Sequence, residues 1–168
     1  MRTILILSLF LALLLYTGCN RNDGRPADMP KLYPVTISII QDGQPLDGAT
    51  VTLIAKTPAV AQYGTSSGTT TATGTATIRT YGYDGVPIGD YTVLVEKRVT
   101  EGEREIIQEG MGVVGTIGGR VFQLVNTQFT AQATTPLSIS VAERRGATET
   151  FDVGAAVRVF LFEQTSSD

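Results

Sequence analysis

The sequence predicts an all-β fold, an antiparallel β-sandwich of about seven to nine short strands, and three observations carry that reading. Apolar residues alternate with polar ones over short stretches, as in Val35, Ile37 and Ile39 or Ala49, Val51 and Leu53. Turn-forming pairs bound those stretches, with Asp-Gly at 42–43, 47–48 and 84–85. No long helical periodicity appears beyond the N-terminal segment. Period-two alternation between turn signals marks half-buried strands, and many of them at short intervals mark a sandwich. With 168 residues, 42% apolar and 17% charged, the chain suffices for one sizeable core.

The first 18 residues are expected to stand outside that fold. Arg2 supplies a positive start, and residues 4–15 are apolar except for Ser8. This reads as a secretory signal, too short for a comfortable membrane span. Thr17-Gly18-Cys19 follows, and Cys19 is the only cysteine in the chain. The segment resembles the lipobox of bacterial lipoproteins, with Tyr16 where that pattern prefers Leu, Val or Ile. The resemblance implies that Cys19 is diacylated and becomes the mature N-terminus. It also implies a place in the cell envelope, on the outer membrane, since Asn20 lacks the aspartate of inner-membrane retention. An ordinary signal peptide and a secreted protein are the alternative. Residues 19–32, with Asn, Asp, Gly and two prolines, read as a flexible tether. With no second cysteine, the core has to hold the fold without disulfides.

The folded domain is expected over residues 33–164. Residues 33–41 form the first strand and 49–56 the second, closed by Thr57-Pro58. Small polar residues over 59–68 suggest an exposed loop. Threonine-rich residues 69–80, split at Gly74, suggest a hairpin. Residues 81–90 are rich in turn formers and lead into a strand over 91–96, with Tyr91, Val93 and Val95 on one face. The charged stretch 97–109 is expected to pair 95–99 with 105–108 across Glu101-Gly102. Residues 111–119 hold four glycines and resist assignment, and 121–129 fit neither a strand nor a helical turn cleanly. Leu137, Ile139 and Val141 alternate strictly. Arg144-Arg145-Gly146 turns the chain, 148–153 returns it, and 155–162 is the last strand.

Composition removes several chemistries. There is no histidine, so imidazole triads and imidazole metal sites are out. A net charge of −3 argues against nucleic acid, whose phosphates need a basic patch. Paired carboxylates are the remaining catalytic option, from Asp42, Asp47, Asp84 and Asp90. Each lies beside turn formers, where aspartate accepts local hydrogen bonds as a matter of course. The same four offer no EF-hand spacing for Ca²⁺, so neither a metal nor a cofactor is expected. Tryptophan is absent, and a sugar-stacking platform would fall to Tyr81 and Tyr83, two residues apart beside a glycine-rich loop. The plainer reading gives Tyr91, and one of that pair, the task of closing the sandwich edge, as a tyrosine corner does. Arg144-Arg145 and the 97–109 cluster read as solvated faces, the latter also able to dock a protein.

Several segments together resemble a known group. Asp42-Gly-Gln-Pro-Leu-Asp-Gly-Ala-Thr-Val-Thr-Leu53 is similar to the opening of transthyretin-like, carboxypeptidase-regulatory-like domains. Asp84-Gly-Val-Pro-Ile-Gly-Asp-Tyr-Thr-Val93 resembles a later segment of the same domains. Ala133-Thr-Thr-Pro-Leu137 and Phe151-Asp-Val-Gly154 resemble stretches of small lipoproteins of planctomycete-type bacteria. The resemblance implies a prealbumin-like sandwich over about residues 33–160 and no catalytic residues. A non-enzymatic, lipid-anchored envelope module for structure or protein interaction is therefore expected. The alternative is a carbohydrate-binding accessory domain using Tyr81 and Tyr83.

Overall fold

A computed structural model describes residue 26, residues 28–143 and residues 146–163. The expected signal segment, Cys19, most of the tether and the Arg144-Arg145 turn lie outside the described residues.

The fold is all-β. Strands are numbered β1 to β15 in chain order. One sheet holds β1 (Val35–Gln41), β2 (Gln44–Pro45), β5 (Thr75–Thr77) and β14 (Ala147–Asp152). The largest has the order β13-β8-β3-β4-β6-β7: Ser138–Val141, Gly89–Glu96, Thr50–Ala55, Ser66–Thr69, Arg79–Thr80 and Tyr83–Asp84. These two sheets share a single core. Val35, Ile37 and Ile39 of β1 meet Val51 and Leu53 of β3, Val93 and Val95 of β8, and Ile139 and Val141 of β13. Each set occupies alternate positions on its strand, so the pleat points all of them inward while their neighbours face out. Burying them supplies the main drive to fold.

The charged stretch builds two further units. β9 (Arg98–Glu101), β12 (Arg120–Gln123) and β15 (Val159–Glu163) form a three-stranded sheet with β12 in the middle. β10 (Arg104–Gln108) and β11 (Gly112–Ile117) form a two-stranded ribbon. Because β9 runs into β10 and β11 into β12, the ribbon extends the β9–β12 pair.

Several sequence expectations change. Residues 59–68 are not a plain loop. Pro58–Ala61 make one helical turn, α1, and Ser66–Thr69 make β4, paired with β3 on one side and β6 on the other. Small polar residues serve as a strand there because both neighbours satisfy the backbone. Buried Ser66 also hydrogen-bonds Thr80, Oγ to Oγ1, at 2.8 Å. The 69–80 hairpin is instead a corner: the chain reverses at Gly74, but β4 and β5 belong to different sheets. Gly74 sits at φ 72°, and a Cβ there would stand 2.7 Å from the Ile39 carbonyl oxygen, so only glycine lets this turn pack so closely on β1 and β2.

Strand partners differ in the second half as well. β9 pairs with β12 and β10 with β11, so Glu101-Gly102 passes the chain onward rather than folding it back. The glycine-rich 112–117 stretch is a strand. Residues 121–129, whose pattern fits neither element cleanly, contain a strand to Gln123 and then a 3-10 turn at Thr127–Phe129. β14 does not return along β13; it lies parallel to β1 from Val35↔Ala147 to Ile40↔Asp152. The last strand begins at Val159 rather than at 155.

Candidate functional site

Tyr81 and Tyr83 lie on a hairpin. β6 and β7 are joined by Tyr81-Gly82, both with positive φ (51° and 83°), the geometry of a two-residue hairpin turn. Arg79 and Asp84 close its base, Nε to Oδ1 at 2.6 Å. The turn intervenes between the tyrosines, so a spacing of two does not set them side by side on one strand. Tyr81 is 63% exposed, whereas Tyr83 is half-buried and pairs with Thr80 across the hairpin. The Tyr81 hydroxyl lies over Gly64, where a Cβ would stand 2.8 Å away. Tyr81 and Tyr63 together line a hollow of about 300 Å³, with Pro26, Asp28, Met29 and Gln62. Tyr83 is not part of that lining. Tyr91 is buried instead, and its hydroxyl donates to the Pro87 carbonyl at 2.8 Å.

Three of the four candidate aspartates have described side-chain bonds, and only that of Asp84 is local in sequence. Asp42 accepts from the Ala156 amide at 3.0 Å, Asp84 pairs with Arg79, and Asp90 accepts from the Ser140 hydroxyl. Asp47 is exposed in its turn. Among the described residues, no three His, Cys, Asp or Glu side chains gather where they could hold a metal ion.

The outer face of β9, β12 and β15 is built differently. Phe122 and Phe160 meet edge to face with centroids 5.9 Å apart. The Arg158 guanidinium stacks 3.9 Å from the Phe122 centroid and holds both oxygens of Glu101, at 2.7 and 2.5 Å. That fork keeps the Glu101 carboxyl below its ordinary range, first through the hydrogen bonds and then through charge. Phe122, Arg120 and Glu163 line two adjoining hollows of about 300 and 370 Å³. Beside them β15 exposes four consecutive apolar residues, Val159, Phe160, Leu161 and Phe162, at 38, 53, 37 and 47%. Its outward edge pairs with no other strand among the described residues.

Sequence reasoning took 97–109 for a solvated face and left 121–129 open, so it missed this surface. The available signal was the unbroken Val-Phe-Leu-Phe run at 159–162, which makes both faces of the last strand apolar.

No family model, no curated protein and no solved structure matches the chain. Among the described residues, no helix is long and apolar enough to cross a membrane.

Proposed function

We propose that this chain is a non-catalytic cell-envelope module, anchored through lipid on Cys19, that binds protein through the face made by β9, β12 and β15. The exposed apolar run on β15 carries the protein-binding part. A patch that combines aromatic rings, an arginine and an open strand edge has the composition of protein interfaces. The lack of histidine and the engagement of Asp42, Asp84 and Asp90 in bonds to other parts of the fold support the non-catalytic part, and Thr17-Gly18-Cys19 supports the anchor.

Two measurements test this. Intact mass of the membrane-fraction protein should show an acyl increment on Cys19 that Cys19→Ala removes; an unmodified chain in the soluble fraction would leave a secreted binding protein. A photocrosslinking residue in place of Phe160 should yield protein adducts in intact cells, and one in place of Thr150 should not. Equal yields from both would remove the β15 face as the binding surface.

A second reading has its own observation: Tyr63 and Tyr81 share one hollow. Two rings beside polar Gln62 and Asp28 suit a small sugar. Tyr81→Ala should then abolish polysaccharide retention, and unchanged retention would end that reading.

A further inference from the structure

We infer that β9, β12 and β15, with their ribbon, form a hinged arm that swings from the sandwich as one body, and that buried Gln123 biases it toward opening. This holds whatever binds the outer face of the arm. Among the described residues the chain passes between sandwich and arm at Lys97, at Leu124 and over residues 154–158. These crossings lie side by side: the Leu124 amide donates to the Lys97 carbonyl at 2.8 Å, and the Val157 amide to the Leu124 carbonyl at 3.1 Å. On the sandwich side of this row, Val95, Val125 and Val153 belong to the shared core. On the other side, no strand of the arm pairs with either sandwich sheet. A few residues at element ends suffice to absorb the rotation of a hinge.

The arm is braced within and loosely tied without. Arg158 grips Glu101 and stacks on Phe122, which binds β9, β12 and the entry to β15 together. Among the described residues, the hydrogen bonds that tie sandwich to arm fall on the crossings themselves. Gln41 Nε2 donates to the Leu124 carbonyl at 2.9 Å, the Ala156 amide to the Asp42 carboxylate at 3.0 Å, and the Asp42 amide to the Gly154 carbonyl at 3.1 Å. The exposed pair of Arg98 with Glu96, at 3.1 Å, flanks Lys97 and adds little. Gln123 is the first arm residue beyond the row. It shares with Val121 the face of β12 opposite Phe122; both are buried, and Val121 stands apart from the shared core. Gln123 is 2% exposed, and neither its amide nitrogen nor its carbonyl oxygen has a hydrogen-bond partner. A buried amide left unpaired is unfavourable, and the same amide in water is satisfied. Opening therefore relieves Gln123, and the ties at the row hold the arm closed against that bias.

The test uses the full chain, with a thiol placed on the hidden face of the arm. Under native conditions Val121→Cys should react with a thiol reagent at least about tenfold faster than Val93→Cys in the core, each corrected for the parent with the same Cys19. The amides of β12 should stay protected from hydrogen exchange while that thiol reacts, since their bonds to β9 and β15 travel with the arm. Adding Gln123→Leu, which removes the polar atoms at similar volume, should slow the reaction of Val121→Cys by at least about tenfold. Gln123→Met should act in the same direction, and circular dichroism checks that each variant folds like the parent. Equal reaction of Val121→Cys and Val93→Cys would mean that the arm parts only on global unfolding, and would overturn the hinge. Exchange of the β12 amides at the pace of the thiol would mean that the arm melts instead of swinging, and would overturn it too. A reaction unchanged or hastened in both Gln123 variants would show that the amide is satisfied in the closed position, and would overturn its role.

Discussion

Thr70 shows how much one side chain decides here. It is buried; its hydroxyl donates to the Leu46 carbonyl at 2.6 Å and accepts from the Ala49 amide at 2.8 Å. Its own backbone bonds Gly48 and Ala49 as well. The end of the 42–49 turn is thus clamped onto the chain just past β4. Thr70→Val keeps the shape and leaves a buried carbonyl and amide unpaired, so a loss of about 2–3 kcal/mol is expected in urea unfolding. Tyr91 makes a second residue-scale case. Burial pushes its phenol up to about 12 from 10.0. Its folded pKa is thus raised, so its contribution is intact below pH 10 and is lost as pH rises through about 12. That contribution is about 2–3 kcal/mol. Tyr91→Phe should flatten this alkaline slope of stability, measured by unfolding at stepped pH. The role of Tyr91 was legible beforehand, because a tyrosine after Gly-Asp at a strand start suggests a corner. Thr70 was not, because nothing in a threonine-rich tract says which hydroxyl faces inward.

Strand existence was largely legible and strand partnership was not. β1, β3, β8 and β13 stand where alternation places them, since each buries one face and that face writes itself into every second residue. Partnership depends on residues far away in the chain. Nothing local told β5 to join β1 rather than β4, or β14 to lie parallel to β1. β4 escaped notice for a different reason: its outward residues are as small and polar as a loop's. The β10–β11 ribbon is the least supported element. It exposes Ile107, Met111, Val113 and Val114, and no third strand flanks it among the described residues. A two-stranded ribbon alone is marginal in water. Native-state hydrogen exchange should therefore find the amides of 104–117 opening at far lower free energy than those of β1, β3 and β8. Protection of the ribbon equal to that of the core strands would show that something covers it.

At the scale of the whole molecule, two sheets close over one core, and the chain passes repeatedly between them. The fold class was readable from composition and alternation because those are global averages that survive errors in pairing. The candidate surface was not readable, because it depends on Phe122 and Phe160, 38 residues apart, meeting through a register that includes a bulge. Many of the pairings join distant parts of the chain, so refolding should be slow for this length, in the range of milliseconds to seconds. Stopped-flow refolding from urea would check it, and a microsecond phase carrying the full amplitude would contradict it.

The parallel pairing of β1 with β14 also bears on how the molecule answers a pull. A load entering at the N-terminal end of β1 and leaving at the C-terminal end of β14, once β15 has peeled from β12, acts on strands that point the same way. The six residue pairs from Val35↔Ala147 to Ile40↔Asp152 would then be sheared together rather than unzipped one by one. A domain tethered at one end and gripped at the other would yield late and abruptly.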